Sequence, residues 1–198
     1  MIETGNWILP QLNFQPYYDK PPLLYWLCAA SYQVFGISEW SARLVPTSAS
    51  FLTILATLVF GCRFLGQRTG LLAAGVLMLS LGFASISRYL LIDGVLALFT
   101  TLSFFAAYIA LRGERIRLGW WIVTSACCGL AFLAKGPLSL VLLLPVVCAF
   151  SWLSESAAKL RIRDLAILFA IVAGIVGPWL VAVAFQDKDF LIEFFYRH

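Results

Sequence analysis

An all-α, polytopic membrane protein is the fold this sequence predicts, with about six transmembrane helices and one short interfacial helix. Three observations carry that prediction. The chain is 62% hydrophobic and only 12% charged, whereas soluble domains run nearer half apolar and a quarter charged; its mean hydropathy is +0.91. The apolar residues come in long runs approaching the ~20 that a helix needs to cross hydrocarbon, not in the short alternating strands of a membrane barrel. The basic residues concentrate in every second connecting segment, which is the pattern of a chain that crosses a bilayer repeatedly.

Taken in order, the chain opens on "MIETGNWILPQLNF", which lacks the basic and apolar regions of a signal peptide. Nothing before residue 21 would start the chain into a membrane, and the chain stops inside an aromatic run, "FLIEFFYRH", so a fragment is expected. Residues 21–35 are apolar but short and carry Tyr25, Trp26, Tyr32 and Phe35; these features suit a helix lying in or dipping into the interface. Segments 43–62, 70–87, 90–111, 118–134, 137–153 and 165–185 are the predicted spans. The joints carry turn signals at Gly36, Gly66, Gly70, Gly113 and the Gly136-Pro137 step. With no repeat, low-complexity tract or linker, residues 1–198 read as a single membrane domain. It comprises an outer loop with the interfacial helix (1–42), transmembrane helices (43–186) and the start of a further outer loop (187–198). The five cysteines form no CxxC or Cys/His cluster and read as small hydrophobes, with no disulfide or zinc site.

The net charge of +4 is small and gives no reason to expect a nucleic-acid partner. Its placement is more informative. Loops 61–70, 112–117 and 155–164 hold eight Lys and Arg against three acids, whereas the remaining segments hold six against seven. The positive-inside rule puts the first set in the cytoplasm. Asp19, Lys20, Arg88, Asp93 and Lys135 then share the outer face.

Those outer charges are sparse and pressed against apolar segments. Lys20 precedes Pro21, which biases its backbone to an extended form, and Pro21 suits the first turn of a helix that Asp19 would favour electrostatically. On the residues alone, Lys20 is either a lysine snorkelling beside a capped helix or a ligand for an anion. Arg88 and Asp93 flank one short apolar joint in "SISRYLLIDGVLALF"; they pair with each other, or Arg88 faces an anionic headgroup. Lys135 in "GLAFLAKGPLSLVLL" has no acid within about ten residues. Three cations and two acids converging on one face are suited to binding a phosphate, with a carboxylate left for other work.

The segment "ETGNWILPQLNFQPYYDKPPLLYWLCAASYQVFGISEWSARLVP" resembles the first outer loop of the dolichyl-phosphate-mannose–protein mannosyltransferase and aminoarabinose transferase superfamily. The K-P-P-L-x-Y-W and F-G-x-S-E-W-x-A-R pieces are the specific ones. "RYLLIDGVLALF", "LAKGP", "PWLVAV" and "FFYRH" resemble the continuation, so that the resemblance covers nearly all of the chain. It implies a bacterial integral-membrane glycosyltransferase of type C, multi-pass in the inner membrane with its active face periplasmic. Such an enzyme moves a sugar from a polyprenyl-phosphate-linked donor to a lipid A-like lipid, a protein or a glycan.

The resemblance also implies that Lys20 contacts the donor phosphate and that Asp93 lies near the same site. Asp19 stands where the family carries Asp or Glu and is grouped with the substrate-binding residues. Arg88 and Lys135 join them on chemical grounds. The family's catalytic carboxylate follows a first membrane helix, and it is expected upstream of Met1. Some members use a divalent metal; no ligand cluster in this sequence calls for one. Membrane lipids are the remaining expected partners. Two other classes stay open on the residues: a transporter or flippase of an anionic lipid-linked substrate, whose charges belong near the bilayer midplane, and an inactive truncated remnant.

Overall fold

The structure is a computed structural model that describes residues 1, 2, 5–12, 15, 16 and 20–186. A two-residue antiparallel ladder pairs β1 (Gln11–Leu12) with β2 (Gln15–Pro16). Eight helices follow: α1 (Leu23–Phe35), α2 (Glu39–Phe64), α3 (Gln67–Leu79), α4 (Leu81–Arg88), α5 (Ile92–Leu111), α6 (Leu118–Lys135), α7 (Leu138–Leu153) and α8 (Ile162–Gln186). The all-α class holds.

Local chemistry explains where the first helices begin and end. Pro21 and Pro22, both fully buried, lead into α1 with fixed φ and without the N–H groups that a first turn leaves orphaned. Helix α1 stops at Gly36, whose φ of +80° is a conformation that side-chain-bearing residues resist; its N–H closes on the Tyr32 carbonyl at 2.9 Å. A capping box then opens α2. The Ser38 hydroxyl accepts from the Ser41 N–H at 3.2 Å, and the Ser41 hydroxyl accepts from the Ser38 N–H at 3.1 Å. Ser31 of α1 donates to the Ser41 carbonyl at 2.7 Å and clasps the two helices together. The 26 residues of α2 span about 39 Å, more than the thickness of a hydrocarbon core.

The connectors gather at two ends, as the loop charges predict. At the basic end, an antiparallel bridge between Arg112 and Ala157 joins segments 112–117 and 155–164, with the Ala158 N–H bonded to the Leu111 carbonyl at 2.9 Å. Buried Trp121 donates its indole N–H to the Asp164 carbonyl at 2.9 Å. The Asp164 carboxylate accepts from the Arg161 N–H at 3.0 Å and caps α8. Lys159 donates to the Ser151 and Ser154 carbonyls at 2.8 and 3.3 Å, meeting the orphan acceptors at the end of α7. The core between the ends is apolar, built from Val95, Ala110, Trp121, Ala131, Leu143, Leu168 and Val183 among others.

All six predicted spans are helical, but they are not equally long. Helices α2, α5, α6 and α8 are long and apolar enough to cross a membrane. Segment 70–87 is realised as α3 and α4, bent by 63° at Ser80, and counts as a fifth crossing if the pair is one span. Segment 137–153 is α7, with 16 residues and an internal Pro145, short of the ~20 that a perpendicular span requires. Hydropathy registers how apolar a run is and is insensitive to where the run bends or stops, hence the difference.

Packing between helices depends on small residues, as expected where lipid supplies no hydrophobic drive for association. Helices α2 and α3 cross at Gly61 and Gly70. A Cβ on Gly70 would lie 2.3 Å from the Cys62 nitrogen, and one on Gly61 would lie 2.6 Å from the Gly70 Cα. Gly75, one turn further along α3, has nothing within 4 Å of its Cβ position. Gly70→Ala is therefore expected to force the pair apart and cost about 1–3 kcal/mol, in the range for overpacking. Gly75→Ala is expected to leave stability unchanged or raise it slightly through helix propensity. Thermal unfolding in detergent of the two variants side by side checks this, and equal losses would refute the close crossing.

Candidate functional site

The end opposite the basic loops brings together chain segments far apart in sequence, and indole N–H groups tie them. Asn6 folds its side chain over the following backbone, accepting from the Ile8 and Leu9 N–H groups at 3.0 and 3.2 Å. Leu9 is buried in the core. Trp26, in the first turn of α1, donates to the Trp7 carbonyl at 2.8 Å. Trp179, one residue past Pro178 in α8, donates to the Ile8 carbonyl at 3.0 Å. The N-terminal segment is thus bonded to α1 on one side and to α8 on the other. Lys20 stands at this end, carried by the buried Pro21-Pro22 step.

The α4–α5 and α6–α7 junctions meet at the same end. Lys135, the last residue of α6, forms an ion pair with Asp93 in the first turn of α5, Nζ to Oδ1 at 2.5 Å. The sequence left Asp93 to pair with Arg88 five positions away, and it found no acid near Lys135. The observed partners are 42 residues apart. Helix ends explain the choice: a carboxylate at a helix N-terminus and an ammonium at a helix C-terminus each complement the backbone dipole. Two antiparallel helices bring those ends together.

This pairing alters the charge balance of the site. Among the described residues, Lys20 and Arg88 make no ion pair or hydrogen bond. Glu39 is occupied by Arg43 four residues on. Asp93 is occupied by Lys135. Asp19, the remaining predicted binding residue, lies outside the described residues, as does the tail ending in His198. Lys20 is partly exposed and Arg88 exposed, so two cations without an acidic partner among the described residues stand at an end whose described acids are both engaged. Such an arrangement attracts an anion. No group of three or more His, Cys, Asp or Glu converges among the described residues.

Residue-level reading missed the two indole clamps, Trp26 to Trp7 and Trp179 to Ile8. The signal was present as tryptophans at the ends of apolar runs, where an amphipathic ring is expected to find a polar partner, but their partners are backbone carbonyls that no spacing rule identifies.

A sequence model of the family described as dolichyl-phosphate-mannose-protein mannosyltransferase matches residues 19–182. The undecaprenyl phosphate-alpha-4-amino-4-deoxy-L-arabinose arabinosyl transferase of Pectobacterium atrosepticum is 33% identical over 205 residues, covering 99% of this chain and 36% of that protein. Its counterpart in Pseudomonas savastanoi pv. phaseolicola is 30% identical over 200 residues, covering 100% of this chain and 37% of the relative. The chain thus spans a little over a third of the length of these relatives. Crystal structures of ArnT from Cupriavidus metallidurans, apo and bound to undecaprenyl phosphate, give TM-scores of 0.87 and 0.84 at 24% and 23% identity. They cover 100% and 98% of this chain and 37% of each solved chain. The likeness establishes the fold.

The exposure of the Asp93–Lys135 pair sets its energetic weight. Side-chain exposures of 40% and 35% leave it well screened, and such pairs contribute up to about 1 kcal/mol. Asp93→Asn is expected to lower stability by no more than that, as read from thermal unfolding. A loss of several kcal/mol would mean that the pair is a structural keystone.

Proposed function

The chain belongs to the dolichyl-phosphate-mannose-protein mannosyltransferase family, and from that membership we propose that it forms the donor-binding portion of a membrane glycosyltransferase. In this reading the protein moves a sugar from a polyprenyl-phosphate-linked donor to an acceptor that is a lipid A-like lipid, a protein or a glycan. It works in the bacterial inner membrane with its active face periplasmic, and α1 lies in the interface above the spans. The observation that carries the proposal is the pair of cations, Lys20 and Arg88, without an acidic partner among the described residues, at the end where Lys135 and Asp93 neutralise each other. The arabinosyl transferases it resembles are named for an undecaprenyl phosphate-linked substrate.

The chemistry follows from the leaving group. Transfer breaks the bond between the anomeric carbon and the phosphate oxygen, and it forms a bond from the same carbon to an acceptor oxygen or nitrogen. Negative charge grows on the departing polyprenyl phosphate as the bond lengthens. A fixed cation aimed at that phosphate stabilises the transition state more than the ground state. Lys20 fills this role: buried prolines hold its backbone, so little reorganisation is needed. Arg88, at the end of α4, supports the phosphate from a second direction. Lys135 belongs to the same surface, held by Asp93. The acceptor must lose a proton to a carboxylate as it attacks. Asp93 and Glu39 are both engaged with cations, so the base is assigned to neither.

A transporter is disfavoured by the placement of charge. Residues 94–111, 118–134, 138–153 and 165–186 contain no Asp, Glu, Lys or Arg, so these helices offer no ionisable side chain at the midplane, where transporter substrates bind.

The test is transfer of sugar from an undecaprenyl-phosphate-linked donor by the purified full-length gene product. Lys20→Ala is expected to lower kcat/KM by about 100-fold or more, the loss typical of removing a charge-stabilising donor, with thermal stability retained. Arg88→Ala is expected to cost about tenfold. Unchanged turnover in Lys20→Ala would overturn the assignment of that lysine.

A further inference from the structure

The α3–α4 pair rests on α2, with Ala74 of α3 buried, and a groove runs along one flank of α3. Near the basic end, Gly70 lies directly on Gly61 and Cys62. At the other end, Thr47 of α2 donates its hydroxyl to the Ser87 carbonyl of α4 at 2.9 Å. Between these contacts the chain turns by 63° at Ser80, and a crevice of about 630 Å³ opens under the elbow. Thr57 of α2 lines one side, and Thr69, Leu72, Ala73, Val76 and Leu77 line the other. Of its hydroxyls, that of Thr57 is satisfied within its own helix by the Thr53 carbonyl at 2.8 Å, and those of Thr69 and Ser80 stand at the two ends, so the lining between the ends is apolar.

Two features say what fits. From Thr69 to Ser80 the crevice follows eleven residues, about 16 Å along a helix, which is half of a hydrocarbon core and hence the depth of one leaflet. Its Thr69 end opens beside Arg63 and Arg68, both exposed and without an ion pair among the described residues. No Asp or Glu occurs anywhere from residue 40 to residue 92, so neither arginine has an acidic partner on α2, α3 or α4. An apolar slot one leaflet deep, ending at two guanidinium groups with no ion pair among the described residues, matches an acyl chain joined to an anionic headgroup.

We propose that this crevice binds an anionic phospholipid of the leaflet on the basic side, with one acyl chain under the Ser80 elbow and the phosphate held by Arg63 and Arg68. The site lies at the opposite end of the bundle from Lys20 and Arg88, so it is separate from the donor site. Its occupant comes from the bilayer and is not the polyprenyl-linked substrate. Bound there, the lipid covers the apolar flank of α3 beside Thr57 of α2.

The experiment uses the full-length protein in nanodiscs containing phosphatidylglycerol with a photoactivatable group in the middle of one acyl chain, and phosphatidylcholine with the same label for comparison. Cross-linked peptides are mapped by mass spectrometry. Labelling within residues 57–80 is expected to be about tenfold higher with phosphatidylglycerol, given roughly the electrostatic gain of two arginines near an anionic headgroup. The Arg63→Gln/Arg68→Gln double variant should erase the preference while leaving residual labelling. Ala73→Trp should reduce labelling of this segment with either lipid; if that variant does not fold, the arginine variant alone decides. Equal labelling by the two lipids overturns the proposal. So does displacement of the phosphatidylglycerol label by equimolar undecaprenyl phosphate, or a cross-link showing that another segment of the full-length chain occupies the crevice.

Discussion

Hydrocarbon offers no partner to a peptide N–H or C=O, and this constraint shapes the whole molecule. Each crossing segment must satisfy its own backbone, so it is helical, and anything that breaks a helix is pushed toward an end or must be compensated where it stands. The charges obey the same rule. From residue 94 to residue 186, every Asp, Glu, Lys and Arg lies in a connector or at a helix terminus. Function that needs charge therefore has two available places, the two ends of the bundle. The basic end uses its charges to close the chain: Asp164 caps α8, and Lys159 caps α7. At the other end two cations, Lys20 and Arg88, have no acidic partner among the described residues.

The helix-breaking residues show how the constraint is met inside the membrane. Proline occurs within α2, α7 and α8, each removing one backbone hydrogen bond. At the α2 site, Gly94 of α5 lies against the Pro46 backbone, with 3.5 Å from its Cβ position to the Pro46 carbonyl oxygen, so the irregular backbone is covered by protein and not by lipid. In α8, Pro178 immediately precedes Trp179, whose indole reaches out of the helix to the Ile8 carbonyl. The chain bends by 63° at Ser80, between α3 and α4, and both helices rest on α2.

Much of this was legible in the sequence, and the parts that were not share a cause. Helix existence followed from apolar runs, and the clustering of the loops at two ends followed from counting Lys and Arg. The turn at Gly36 and the entry at Pro21-Pro22 followed from backbone chemistry. What failed to show was any property that depends on two distant segments meeting. Asp93 has a nearer cation in Arg88, and only the antiparallel placement of α5 and α6 gives it to Lys135. The two tryptophan clamps bond to carbonyls, which every residue possesses and none advertises. The length of α7 and the elbow at Ser80 were hidden because hydropathy averages over a window longer than either feature.

The Asp93–Lys135 pair sets which cations at its end of the bundle lack an acidic partner among the described residues. Had Asp93 joined Arg88, the site would have kept Lys135 as its free cation, at the end of a rigid helix and beside a glycine turn. Instead the pairing neutralises the lysine and releases Arg88, which sits at the end of an eight-residue helix hung from the Ser80 elbow. Lys20 is fixed by two buried prolines, and Arg88 follows Ser87, whose carbonyl accepts from Thr47 of α2. In the proposed glycosyl transfer, a phosphate gripped while its sugar departs would meet two cations carried on separate elements. The ion pair, worth little as stability, has its effect through the charges it leaves unpaired.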